Sequence, residues 1–114
     1  MQIARAYTKF QRIPPRKARL AADLIRGLKV EEAYLQLAYS ELKGGKLLRK
    51  TLNSAVANAE TQLNIPRQNL RVKEVRVDAG PVLKRAKSKS RGGRAPVMKR
   101  TSHFTVILEA EEKR

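Results

Sequence analysis

Two groups of cations are the residues whose types and spacing point to chemistry. One is the run "KRAKSKSRGGRAPVMKR" from Lys84 to Arg100. The other is Arg5, Lys9, Arg12, Arg16, Lys17 and Arg19, with no acid before Asp23. Guanidinium and ammonium groups at this density bind polyanions, and arginine adds a planar fork that meets a phosphate through two hydrogen bonds. Arg16 and Arg19 are therefore expected to make more ordered phosphate contacts than Lys17. Between Asp78 and Glu109 there are eight Lys or Arg and no acidic residue. Covalent chemistry has far less to work with. His103 is the sole histidine. With Ser102 beside it and Asp78 on another strand, a triad can be drawn, but no nucleophile-elbow pattern accompanies it. A polar contact of His103 with a polyanion or backbone is the better expectation. The chain has no cysteine, and "GLKVEEAY" and "KGGKLL" lack the spacing of phosphate-cradling glycine loops. No catalytic residue, metal or cofactor is expected.

Composition sharpens this reading. Among 114 residues, 26 are Lys or Arg and 10 are acidic, a formal net charge of +16. Self-repulsion at that density destabilises a compact fold unless a polyanion neutralises it, so nucleic acid is the expected partner. An anionic membrane is the weaker option. No stretch approaches the ~18 apolar residues of a spanning helix. The N-terminus shows no apolar secretory run, and cysteine-free composition fits a reducing cytosol. At 41% apolar content and no Trp, one modest core is expected, aliphatic and Ala-rich.

The elements that must position these cations follow from periodicity. "IARAYTKFQRI" from Ile3 to Ile13 reads as a short strand ended by Pro14-Pro15, which suits a helix's first turn. "RKARLAADLIRGL" places Ala18, Ala21, Ala22 and Ile25 on one helical face, with Leu20 and Leu24 beside it and Gly27 as the stop. A second helix runs from about Glu31 to Tyr39, and Gly44-Gly45 breaks the chain. A third helix carries Leu47, Leu48, Thr51, Leu52, Ala55, Val56, Ala59 and Leu63 at three- and four-residue spacing, closed by Pro66. The small residues Ser54, Ala55, Ala57 and Ala59 suit close packing. "LRVKEVRVD" from Leu70 to Asp78 reads as a strand whose phase slips between Val72 and Val75, the mark of a bulge. "TSHFTVILE" from Thr101 to Glu109 returns with Phe104, Val106 and Leu108 on one face. The basic run between them has no core residues, and Gly92-Gly93 signals a hairpin. Pairing about that centre brings Lys84, Arg85, Lys99 and Arg100 to the arm's base, where they engage phosphates from both sides. Such an arm reaches on the order of 30 Å. The acidic tail "EAEEKR" reads as frayed.

"PPRKARLAADLIRG", "LNSAVANAE" and "VDAGPVLKRAKSKSRGGRAPVMKRTSHFTVIL" resemble, in order, the signature segments of the ribosomal protein L22 (uL22) family, bacterial type. The resemblance covers nearly the whole chain. It departs at Pro14, where Ser is common, at Ser88, where the family often has Pro, and at the additional Gly93. The resemblance implies an α+β fold: three helices packed on a three-stranded antiparallel sheet, with a long protruding β-hairpin arm. One L22-like domain is implied, with a body of about 1–80 and 101–110 and an arm of about 81–100. It further implies a cytoplasmic structural constituent of the large ribosomal subunit that organises 23S-type rRNA and contacts other large-subunit proteins. By the same resemblance the arm lines the polypeptide exit tunnel and meets the nascent polypeptide. Family members influence macrolide sensitivity and nascent-chain stalling through the tip.

RNA contacts are thus expected at Arg5, Lys9, Arg12, Arg16, Lys17, Arg19, Lys84, Arg85, Lys87, Lys99 and Arg100. The tunnel-facing tip is Ser88, Lys89, Ser90, Arg91, Gly92, Gly93 and Arg94. The rival is an architectural DNA-binding protein with a basic β-arm. Such arms carry an apolar wedge at the tip, whereas this tip is Ser, Lys, Arg and Gly, with Pro96 farther back.

Overall fold

Alternating small and charged residues open the chain as a strand, β1 (Ile3–Gln11), in which Ala4 and Ala6 are buried while Arg5 and Tyr7 face outward. A computed structural model describes residues 3–40, 43–88 and 94–110, with the backbone alone for 85–88 and 94–98. The strand ends at Gln11, short of Ile13, because its register against the last strand shifts between Thr8 and Gln11. Phe10, with φ of 57°, takes the left-handed backbone that this bulge requires.

Pro14 and Pro15 then start α1 (Pro15–Ile25), whose buried face is Pro15, Ala18, Ala21, Ala22 and Ile25. Leu20 and Leu24 lie outside that face and are exposed. Gly27, at φ 77°, turns the chain, and its N–H bonds to the Val72 carbonyl at 3.2 Å. The returning Val72 N–H donates to Leu28 at 2.8 Å, so the loop covers part of an otherwise open sheet edge. Next is α2 (Val30–Tyr39), with Glu31 and Glu32 in the first turn, where the helix dipole favours them.

The third helix departs from the sequence reading. α3 (Lys43–Gln62) includes Gly44 and Gly45, both buried in its first turn, so they do not break it. A Cβ on Gly44 would come 3.2 Å from the Ala18 Cα and from Ile13 Cδ1, which is why α3 can lie so close to α1. Inward-facing Leu48, Thr51, Leu52, Ala55, Val56 and Ala59 fulfil the expected periodicity; Leu47 is only partly buried, and Ser54 and Ala57 point outward. The helix stops at Gln62 because Asn64 turns left-handed at φ 55°, before Pro66 is reached.

A 3₁₀ turn (Arg67–Asn69) leads into β2 (Leu70–Ala79), and the chain closes with β5 (Ser102–Ala110). The antiparallel order is β1-β5-β2, with β5 central. The expected phase slip is present: the β2–β5 register shifts between Val72 and Glu74, which keeps Leu70, Val72, Val75 and Val77 all buried. Phe104, Val106 and Leu108 are buried as expected, and the central position of β5 also hides Thr105 and Ile107. Each fully buried Leu or Phe contributes about 1.5–3 kcal/mol. Three helices against this sheet make an α+β body, and among the described residues no helix is long and apolar enough to cross a membrane.

Between β2 and β5 runs a separate two-stranded ribbon, β3 (Leu83–Ser88) and β4 (Arg94–Lys99). Of the ribbon residues whose side chains are described, Pro81, Val82, Leu83, Lys84, Lys99 and Arg100, none belongs to the core cluster. The molecule measures 69 × 25 × 16 Å with a radius of gyration of 17.2 Å. A compact globule of this length would have about 13 Å. The expected frayed tail begins later than Glu109, because Glu109 and Ala110 still pair within β5, Glu109 with Ile3 and Arg71 and Ala110 with Leu70; its remainder from 111 onward and the tip residues Lys89–Gly93 lie outside the described residues.

Candidate nucleic-acid interface

Where β1 gives way to α1, Pro14 forms the rim of three surface hollows. The first, of about 510 Å³, has Ile13, Leu20 and Gly44 in its wall with Arg12, Lys17 and Lys43 around them. The second, of about 410 Å³, shares Arg12, Pro14, Lys17 and Lys43 with the first and adds Lys99 and Arg100. Arg100 also lines the third, with Arg16, Arg19 and Ala79. Cations from the end of β1, the first turn of α1, the start of α3 and the end of the ribbon therefore converge. Of the expected site residues, this convergence gathers Arg12, Arg16, Lys17, Arg19, Lys99 and Arg100. Lys43 was not anticipated, because the Gly44-Gly45 reading had placed it in a linker.

The remaining expected cations stand elsewhere. Arg5 is on the outer face of the sheet, paired in register with Ile107, and Lys9 lies in the β1 bulge. Arg19 behaves differently from the expectation of a purely phosphate-directed fork. Its Nε and Nη2 both donate to the Val77 carbonyl, at 3.3 and 3.1 Å, holding α1 to β2. Arg26, two turns further on, does the same to Val75 at 3.3 and 3.0 Å while pairing with Asp23. No local pattern could have shown this, since the accepting carbonyls are 49 and 58 residues away.

The ribbon joins the body through a tight polar junction. Gly80 N–H bonds to the Thr101 carbonyl at 2.9 Å, and the Thr101 hydroxyl donates to Pro81 at 2.6 Å. A Cβ on Gly80 would fall 2.5 Å from that hydroxyl, so only glycine fits. Ribbon register runs from Leu83↔Lys99 to Ser88↔Arg94, centred on position 91. That corrects the expected symmetry about Gly92-Gly93. Lys84 faces Met98 and Arg85 faces Val97, so the two basic pairs are staggered instead of opposed. Strand alternation then puts Lys84 and Lys99 on opposite faces of the ribbon. Lys87 pairs in register with Ala95.

Two of the residues drawn as a triad, Ser102 and His103, are committed to the fold. Ser102 is buried and its hydroxyl donates to the Ile13 carbonyl at 2.6 Å. His103 Nδ1 accepts the Phe10 N–H at 3.1 Å, and the two rings meet edge-on at 5.0 Å. His103 thus makes the backbone contact expected of it. A further hollow beside α2 is lined by Tyr34, Leu35, Arg49, Asn53 and Arg67. There Arg67 lies 4.7 Å over the Tyr34 ring, and the Tyr34 hydroxyl donates to Asn53 Oδ1 at 2.5 Å. Burial raises the Tyr34 pKa, with Arg67 and Arg49 partly opposing. On the outer sheet face, a hydrogen bond from Arg76 holds the Glu74 carboxyl below the ordinary carboxylate range.

Fold and site together define a class: a small, strongly basic α+β protein that gathers cations from separate elements at the root of a β-ribbon. Residues 6–109 match the family model for ribosomal protein L22p/L17e. The chain is 71% identical over 108 residues to the large ribosomal subunit protein uL22 of Protochlamydia amoebophila, covering 95% of this chain and 97% of that one. It is 62% identical over 109 residues to the same-named protein of Chlamydia pneumoniae, covering 96% and 98%. The chain belongs to the ribosomal protein L22p/L17e family, a family of structural ribosomal proteins and not of enzymes.

Proposed function

We propose that this large-subunit ribosomal protein binds and organises large-subunit rRNA through the cations at its ribbon root, and that the ribbon lines the polypeptide exit tunnel. The observation that carries the reading is the convergence of Arg12, Lys17, Lys43, Lys99 and Arg100 on one hollow in a member of this family. Arg5, Lys9, Arg16, Arg19, Lys84, Arg85 and Lys87 extend the phosphate contacts over the sheet face, α1 and the ribbon. Residues Ser88 to Arg94 form the tip toward the nascent polypeptide. Body and ribbon make one domain with two tasks. The cations displace condensed counterions, giving salt-dependent affinity, while the fixed shape of body and ribbon selects the site. Few aromatics are available to stack on bases, so phosphate and shape recognition dominate. Neighbouring large-subunit proteins complete the surroundings, in the cytoplasmic ribosome.

Sucrose-gradient sedimentation of a lysate before and after a high-salt wash tests the assembly. Stoichiometric, salt-resistant co-migration with the large subunit is expected. Migration at the top of the gradient, or with DNA, overturns it. Cross-linking of residue 91 to a stalled nascent chain tests the tunnel placement.

A further inference from the structure

The first two hollows differ in character, although they share Arg12, Pro14, Lys17 and Lys43. One has an apolar wall, made by Ile13, Leu20 and Gly44. The other adds only charge, from Lys99 and Arg100. An apolar recess next to a cluster of cations complements a nucleotide: a flat, largely apolar base and an anionic phosphate joined by a sugar. The recess of about 510 Å³ falls within the range of about 300–1,000 Å³ typical of ligand clefts.

Leu20 is the informative residue. It is 57% exposed at the cleft, whereas a Leu contributing to the fold would turn toward Ala18 and Ala21. Leu24, one turn along α1, is also exposed but does not line the cleft. None of the described ion pairs involves a cation of these hollows. Among the described residues, then, no acid meets the charge of these hollows.

We propose that this double hollow takes one unpaired nucleotide extruded from the rRNA. Its base lies on Leu20, Ile13 and Pro14, and its phosphate lies among Lys17, Lys43, Lys99 and Arg100. The inference rests on the rRNA-binding reading above and adds a single-nucleotide site to it. RNA loops and bulges supply such splayed bases, and contact with their faces tolerates any sequence. Because Lys99 and Arg100 end the ribbon while Lys17 and Lys43 belong to the body, the same phosphate ties ribbon to body.

The test uses the full chain and protein-free bacterial large-subunit rRNA, with filter binding of wild type, Leu20→Ser and Leu24→Ser. Leu20→Ser is expected to weaken binding roughly fivefold while Leu24→Ser changes it less than about twofold. Equal effects of the two variants overturn the nucleotide site and leave rRNA binding intact. Failure of the wild type to bind rRNA sinks both readings together. A second measurement places a benzophenone amino acid at position 20, which is exposed. Irradiation of the complex is expected to mark one unpaired nucleotide; scattered marks, or none despite binding, overturn the site. Titration with AMP separates sources of the same chemistry. Saturable binding of free AMP in the micromolar range would replace the rRNA nucleotide with a soluble one.

Discussion

Replacing Gly80 with alanine tests the claim that the ribbon root is rigidly built. The new Cβ would lie 2.5 Å from Thr101 Oγ1 and 3.1 Å from His103 Cε1 and Nε2. Thr101 is 3% exposed and its hydroxyl is held by the Pro81 carbonyl, so it cannot retreat without losing that bond. Overpacking a well-filled site costs about 1–3 kcal/mol, and a broken buried hydrogen bond adds about 1 kcal/mol, giving about 2–4 kcal/mol in all. With an unfolding entropy of about 2.1 cal/mol/K per residue, each kcal/mol lowers Tm by about 4 °C in a chain of this size. Far-UV circular dichroism should therefore show Tm falling by about 8–16 °C. A fall below about 3 °C refutes the steric argument. The double variant Gly80→Ala with Thr101→Ala makes the test sharper. Removing the hydroxyl opens the space the methyl needs, so the double should lose about 1–2 kcal/mol less than the sum of the singles. Strict additivity would mean the clash was never the cause.

Four further outcomes are expected. Arg19→Met and Arg26→Met each remove a fork from a β2 carbonyl, at Val77 and Val75, and should lower urea stability by about 1 kcal/mol apiece; unchanged midpoints would show the contacts idle. Burial raises the Tyr34 pKa above 10.0 in the folded state, so its neutral hydroxyl contributes stability that is complete below pH 10 and declines as pH rises through the folded value. Tyr34→Phe should flatten that alkaline decline in pH-dependent melting curves; an unchanged profile counts against the assignment. Deleting Lys87 to Ala95 should leave a cooperative transition, because the ribbon forms its own two-stranded sheet apart from the three-stranded one; loss of cooperativity makes the ribbon structural. Lys43→Gln should reduce the slope of log affinity against log salt by about 0.7–0.9; an unchanged slope removes Lys43 from the RNA contacts.

Legibility varied with the range of the interactions involved. The slip between Val72 and Val75 could be read because the alternation itself breaks there, and the register shift at that point agrees. Gly44 and Gly45 misled for a physical reason. Each costs about 1 kcal/mol of helix propensity, yet a Cβ on Gly44 would crowd the Ala18 Cα of α1 at 3.2 Å, and packing outweighs propensity. Extending the helix by these residues moved Lys43 from a linker into the cation cluster. Asn64 was passed over in favour of Pro66 because a left-handed asparagine leaves no mark in the apolar pattern. The carbonyl-directed forks of Arg19 and Arg26 needed β2 to be placed before they had acceptors.

The placement of the paired acids bears on how a chain of charge +16 holds its fold. Asp23, Glu74 and Glu109 pair with Arg26, Arg76 and Arg71, all on α1 or the sheet of the body. Surface pairs of this kind contribute too little to stabilise the fold alone. Their effect is local: they lower the positive potential where arginines must lie against protein, at the α1–β2 seam and along β2. From Pro81 to Arg100 no acid does the same. Repulsion therefore concentrates at the ribbon and its root, where an external anion relieves it. The same segregation lets the core of the body stay aliphatic and close-packed. Adding acids to the ribbon, for example Ser88→Glu, should accordingly weaken rRNA binding while leaving Tm unchanged or slightly raised; a fall in Tm with unaltered binding would reverse the assignment of stability to the body and binding to the ribbon.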